Sequence, residues 1–122
     1  MSDLYSDLIL DHYRFPHNKG RIENASCSCK VNNPLCGDHL EMSALVKNDL
    51  IEEVKFEGKG CAISQAAASM LTDYAKGKHP KDILSLEPAF VLEMLGVKLG
   101  PNRVKCALLS LEALKKTLLL LY

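Results

Sequence analysis

Apolar positions near the start of the chain recur at helical spacing. Leu4 and Leu8 form one line, and Tyr5, Ile9 and Tyr13 form another. With Ser2 as cap, this predicts a helix to about Tyr13. Phe15-Pro16-His17-Asn18-Lys19-Gly20 stops it. The period then changes to two. Cys27-Ser28-Cys29-Lys30-Val31-Asn32 alternates and predicts a strand, and Asn33-Pro34 opens a loop holding Cys36-Gly37-Asp38. Leu40, Met42, Ala44 and Val46 mark a second strand. Asn48-Asp49 supplies a turn, and Ile51 to Glu57 form a third strand with Val54 and Phe56 on one face. The last two strands predict an antiparallel hairpin. Gly58-Lys59-Gly60 ends it, immediately before Cys61.

From Cys61 onward the pattern is helical. Ala62 to Leu71 favours a helix that Gly77 terminates, Pro80 starts a short one, and Glu87 to Leu95 a third. Gly100-Pro101 punctuates, and Asn102 is the expected cap of a last helix from Arg103 to the C-terminus. Its Leu108, Leu111, Leu114 and Leu118 lie at helical spacing and should pack on the sheet. Strands grouped together and helices grouped after them define an α+β fold. The expectation is a small three-stranded antiparallel sheet, helices packed on one face, and a long C-terminal helix. Residues 1–122 read as one domain, with no internal repeat and no linker.

Composition narrows the function more than the fold. Lys plus Arg and Asp plus Glu number 15 each, so the formal net charge is zero. Nucleic acid and anionic membranes both call for a basic surface, so neither is expected as a partner. The acidic N-terminal residues lack the basic start of a signal peptide, and Leu118 to Tyr122 is far too short to span a bilayer. The expected location is the cytoplasm. There, five cysteines do not make a disulfide framework.

Local setting separates those cysteines. Cys36 sits between Pro34 and Gly37 in a sharp turn, with the Asp38 carboxylate two residues on. Cys61 falls at a strand-to-helix junction after two glycines, where unpaired N–H groups and the helix dipole favour thiolate. Cys106, beside Lys105, is expected about one turn into the last helix. Cys27 and Cys29 share one face of a strand and read as core or half-buried residues. Three thiolates and one carboxylate make a tetrahedral set suited to zinc or to an iron–sulfur cluster. A structural zinc finger would use paired C-x₂₋₄-C knuckles, which are absent here. Separated single ligands suggest a site whose occupancy changes. His12, His17, His39 and His79 are scattered along the chain and make weaker candidates.

The ordered set Leu10-Asp11-His12-Tyr13 with Pro16, Asn33-Pro34-Leu35-Cys36-Gly37-Asp38, Gly60-Cys61-Ala62-Ile63-Ser64 and Lys105-Cys106-Ala107-Leu108 resembles the U-type iron–sulfur cluster assembly scaffolds. That group comprises IscU-like and SufU-like proteins and the N-terminal domain of NifU. The resemblance covers nearly the whole chain. It implies that Cys36, Asp38, Cys61 and Cys106 form the site. It also implies that sulfur arrives from a cysteine desulfurase, and that a nascent [2Fe–2S] cluster is held there for transfer to acceptor apo-proteins. Many members hold zinc in the same place.

Within the group the pattern is mixed. IscU-like proteins carry a His before the third Cys, where this chain has Lys105, a residue placed to screen a thiolate or touch a partner. Lys105, Asn32-Asn33-Pro34 and Gly60-Cys61-Ala62-Ile63-Ser64 lean toward the SufU-like branch, while the short interval from Cys61 to Cys106 is nearer the IscU-like length. Lys98-Leu99-Gly100-Pro101-Asn102 stands where IscU-like proteins offer Leu-Pro-Pro-Val-Lys to a chaperone. Two readings follow. One is a non-enzymatic scaffold for a labile [2Fe–2S] cluster. The other is a zinc-dependent sulfurtransferase with Cys106 as the sulfur acceptor by the family pattern. A merely structural zinc domain is the third and plainest reading.

Overall fold

The structure, a computed structural model, describes residues 3–34 and 37–122, with side chains from Ser6 onward. The expected Ser2 cap, the Leu4 and Tyr5 side chains and Cys36 lie outside the described residues. The chain forms α1 (Asp3–Arg14), β1 (Cys27–Asn32), β2 (His39–Lys47), β3 (Leu50–Lys59), α2 (Ala62–Ala75), α3 (Pro80–Leu84), α4 (Pro88–Leu95) and α5 (Pro101–Leu119). This is the expected α+β arrangement.

The three strands form one antiparallel sheet in the order β1-β2-β3. Pairing runs from Cys27↔Ala44 to Asn32↔His39 on one side of β2, and from His39↔Lys59 to Lys47↔Leu50 on the other. Asn48 and Asp49 have φ of 53° and 64°, the left-handed pair that a two-residue hairpin turn uses. The register has a consequence for the site. Asn32, His39 and Lys59 end their strands side by side, so the loop after Asn32 and the Gly60-Cys61 junction leave the sheet at one end.

The alternating strands bury Val31, Leu40, Met42, Ala44, Ile51, Val54 and Phe56 on one face. Helices α2 and α5 cover that face. Ala66, Ala67 and Ala68 of α2 are fully buried, and side chains this small let the helix lie close against its neighbours. From α5, Leu111, Leu114 and Leu118 enter the same core, while Leu108 is only partly buried. Burying each such Leu contributes roughly 1.5–3 kcal/mol.

Two details depart from the sequence expectation. Helix α1 turns Ile9 and His12 inward, at 6% and 8% exposure, and leaves Tyr13 and Leu8 outward at 46% and 37%. Ile9 and His12 are three apart and share a face, so α1 packs through that pair rather than through Tyr13. Helix α5 begins at Pro101 with Gly100 as its cap, not at Arg103 behind Asn102. Proline suits the first helical position, because its missing N–H would have no partner there. Cys106 therefore lies about one and a half turns in, beyond the first turn where the dipole acts most strongly.

Candidate metal and sulfur site

The end of the sheet where three strands meet brings three candidate ligand residues together. Asp38 closes the β1–β2 loop, with 6% of its surface exposed. The loop is braced by the Asn33 N–H donating to the Asp38 carbonyl at 2.7 Å and the Gly37 N–H donating to the Asn33 carbonyl at 2.9 Å. Cys61 is the capping residue of α2, with extended φ and ψ of −69° and 170°. Its side chain makes no capping hydrogen bond. Cys106 reaches in from α5 and is 6% exposed.

An Asp38 carboxylate oxygen and the sulfurs of Cys61 and Cys106 all lie within 4.8 Å of one another. Two thiolates on one zinc at 2.3 Å would stand about 3.8 Å apart, so this spacing suits a shared ion. The donor set, two soft sulfurs and one hard oxygen, also suits iron in a cluster. Cys36 lies outside the described residues.

The surroundings hold these ligands in place. The Cys61 N–H points at Asp38 Oδ2 from 3.4 Å. Ser64 Oγ donates to the Cys61 carbonyl at 3.1 Å and sits 4.0 Å from Cys61 Sγ. Asn33 Nδ2 approaches Cys106 Sγ at 4.0 Å. Lys105 is exposed and flanks a surface cleft shared with Asn33 and Pro34. Ser64 and Asn33 fall within the motifs quoted from the sequence, but the sequence reading gave neither a role at the site.

Gly60 is tightly enclosed by the site. A β-carbon there would meet Ser64 Oγ at 2.2 Å and the Asp38 carboxylate carbon at 3.1 Å. Gly60→Ala should therefore displace Asp38 and lower zinc affinity by about 10–100-fold, the usual cost of disturbing residues that orient metal ligands. Competition against a chromogenic chelator measures this. Affinity equal to that of the parent protein would show that Asp38 does not depend on this packing.

Cys27 and Cys29 stay out of the cluster. Cys27 is buried in the core, and burial pushes its thiol pKa up. Cys29 is half-buried against the core.

A second group joins two of the histidines read as scattered, weaker candidates to Asp73, which the sequence reading did not name. His12, His17 and Asp73 place one ligand atom each within 4.8 Å of the others. Burial, then the charge of His17, lowers the His12 pKa. Burial raises that of Asp73, but hydrogen bonds from His17 and Asn18 outweigh it and the net direction is down. The two histidines flank the Pro16 break, so no periodicity links them.

Two thiols and a carboxylate, delivered by a loop, a helix start and a helix interior on one α+β frame, form a group that could hold a metal ion. Residues 4–120 match the family model of the NifU-like N-terminal domain, and the chain belongs to that family. It is 38% identical to the zinc-dependent sulfurtransferase SufU of Bacillus subtilis (strain 168), over 95% of this chain and 90% of that one. It is equally 38% identical to the iron–sulfur cluster assembly scaffold protein IscU 1 of Archaeoglobus fulgidus, over 94% of this chain and 74% of that one. A crystal structure of a SUF-system protein from Fervidobacterium islandicum AW-1 superposes with a TM-score of 0.82 at 31% identity, covering 97% of this chain and 99% of the other.

Proposed function

We propose that this chain is an iron–sulfur cluster assembly scaffold. It accepts sulfur from a cysteine desulfurase, holds a labile [2Fe–2S] cluster on Cys36, Asp38, Cys61 and Cys106, and passes it to acceptor apo-proteins. The observation that carries this reading is the approach of Asp38, Cys61 and Cys106 to within 4.8 Å at the end of the sheet. Relatives named as scaffolds support it. The whole of residues 1–122 acts as one domain, and the cytoplasm is its place of work. No helix among the described residues is long and apolar enough to cross a membrane.

The cluster is cargo, and the ligand set suits cargo. Thiolates grip iron firmly, whereas the Asp38 carboxylate is a hard ligand on a soft cluster and weakens the hold on one side. Sulfur enters when a thiolate attacks the outer sulfur of the desulfurase persulfide. A new S–S bond forms on the scaffold cysteine, the old S–S bond breaks, and the desulfurase cysteine leaves as thiolate. Each transferred sulfur must then gain two electrons to become cluster sulfide, which calls for an external reductant. Cys106 is the acceptor that the family pattern implies. It is buried, so the site must open before the attack.

The second reading is a zinc-dependent sulfurtransferase. The SufU relative and Lys105, standing where IscU-like chains carry His, favour it. Zinc would be held by Asp38 and the cysteines, and would keep their sulfurs as thiolates at neutral pH. One experiment separates the readings. The protein is purified anaerobically, assayed for iron, sulfide and zinc, and incubated with desulfurase, cysteine, ferrous iron and reductant. A scaffold develops the visible absorption of a [2Fe–2S] cluster and transfers it to an apo-ferredoxin. A sulfurtransferase keeps zinc, shows a persulfide on Cys106 by mass spectrometry, and forms no cluster. Loss of the fold on chelation with no effect on sulfur transfer would leave only a structural zinc domain.

A further inference from the structure

The cluster of His12, His17 and Asp73 lies away from the site just described. Asp73 is twelve residues after Cys61, and α2 carries it about 18 Å along its axis. We propose that His12, His17 and Asp73 form a second metal site, for a borderline divalent ion such as Zn²⁺. Two imidazoles and one carboxylate suit zinc, cobalt, nickel or copper. Magnesium and calcium prefer all-oxygen sites, and iron–sulfur clusters need thiolates. Three protein ligands leave room for water on the ion, as in open zinc sites.

Orientation of the ligands is what separates this group from a chance meeting of polar side chains. His12 is buried on the inner face of α1, and its Nδ1 lies 2.7 Å from Ser69 Oγ. That same hydroxyl accepts the His17 N–H at 2.8 Å. It has two acceptor lone pairs, so it can also accept a hydrogen bond from His12 Nδ1–H, which leaves Nε2 for an ion. Asn18 Nδ2 donates to Asp73 Oδ1 at 2.8 Å and to Thr72 Oγ1 at 3.0 Å. Thr72 Oγ1 in turn donates to the Ala68 carbonyl at 2.8 Å. The His12 ring and the Asp73 carboxylate are thus held from behind, the arrangement that outer hydrogen bonds give to metal-binding His and carboxylate groups, and His17 is anchored through its backbone N–H. His17 Nδ1 already meets Asp73 Oδ2, and an ion would replace the proton they share. His17 and Asp73 are about half exposed, which gives an ion a way in from solvent. A bound ion would tie α1 and the segment after it to α2. The competing reading is a set of hydrogen bonds that only pins that segment.

Anaerobic titration of the metal-free full-length chain with Co²⁺ decides between them. The thiolate site gives intense sulfur-to-cobalt charge-transfer absorption. The proposed site, with only nitrogen and oxygen donors, gives weak visible bands alone. The expected result is two equivalents bound, one with charge transfer and one without. His17→Ala and Asp73→Asn should each weaken the second equivalent by more than tenfold and leave the charge-transfer band unchanged. Both positions are exposed, so these variants should fold, as far-UV circular dichroism will check. Binding of one equivalent only, charge transfer on both equivalents, or an unchanged second equivalent in both variants would overturn the proposal. Failure of the thiolate site would appear separately, as absence of the charge-transfer band, while the scaffold reading itself is tested by cluster formation and transfer.

Discussion

Cys61→Ser should weaken metal binding while sparing the fold. Zinc affinity is expected to fall by about 100-fold or more, since even residues that merely orient ligands are worth 10–100-fold. Serine is a poor ligand for zinc or iron beside thiolates, because its hydroxyl stays protonated near neutral pH. The same change is benign for the helix. Cys61 is the capping residue of α2 and makes no side-chain capping bond. Serine is among the best residues at that position, and a new cap contributes roughly 0.5–2 kcal/mol. The metal-free variant should therefore melt at or above the temperature of the metal-free parent, while its cobalt charge-transfer band shrinks. Equal zinc affinity in Cys61→Ser and parent would remove Cys61 from the ligand set. A lower melting point without metal would instead mean that its sulfur has a structural role here.

That separation of site from fold explains what was legible in the sequence. Strand β1 spans Cys27–Asn32, as its alternation predicts, and Asn48-Asp49 makes the expected turn. Period-two patterns are read on the chain itself, because one face of a strand is buried and the other is not. The stripe of α1 was harder, since amphipathic Tyr13 can face water and His12 can be buried if it finds a partner. His12 finds Ser69, fifty-seven positions away. No local pattern can announce that contact, nor the His17–Asp73 pair beside it. The approach of Asp38, Cys61 and Cys106 lies between these cases. Loop chemistry and helix starts marked each residue singly. The pairing His39↔Lys59 then sets the Asp38 end of β2 beside the Gly60-Cys61 junction. Register is a tertiary property, and only the ordered motifs of the family stood in for it.

Gly58→Ala tests that register directly, and its effect on stability should be the largest of any single methyl added to this chain. Gly58 pairs with Leu40 and has φ of +143°, a region that costs a residue with a β-carbon about 1–3 kcal/mol. The new β-carbon would also lie 2.1 Å from the His39 carbonyl oxygen and 3.1 Å from the Leu40 α-carbon. Those atoms are backbone of the central strand, so no rotamer change relieves them. β3 would have to move away from β2, opening the pairs at Gly58 and Lys59. Together these effects should remove about 3 kcal/mol or more, and lower the melting temperature by roughly 10 °C. Gly77→Ala is the control. Its φ is +83°, but nothing lies within 4 Å of the added carbon, so only the backbone strain of about 1 kcal/mol should remain. The difference between the two variants reports the clash with His39 together with the extra backbone strain at φ +143°. Equal losses would mean that β2 and β3 are not locked at this end. Because His39 follows Asp38 and Lys59 precedes Gly60-Cys61, the clash should also part Asp38 from Cys61. Gly58→Ala should then lose zinc affinity together with stability, whereas Gly60→Ala should lose affinity alone.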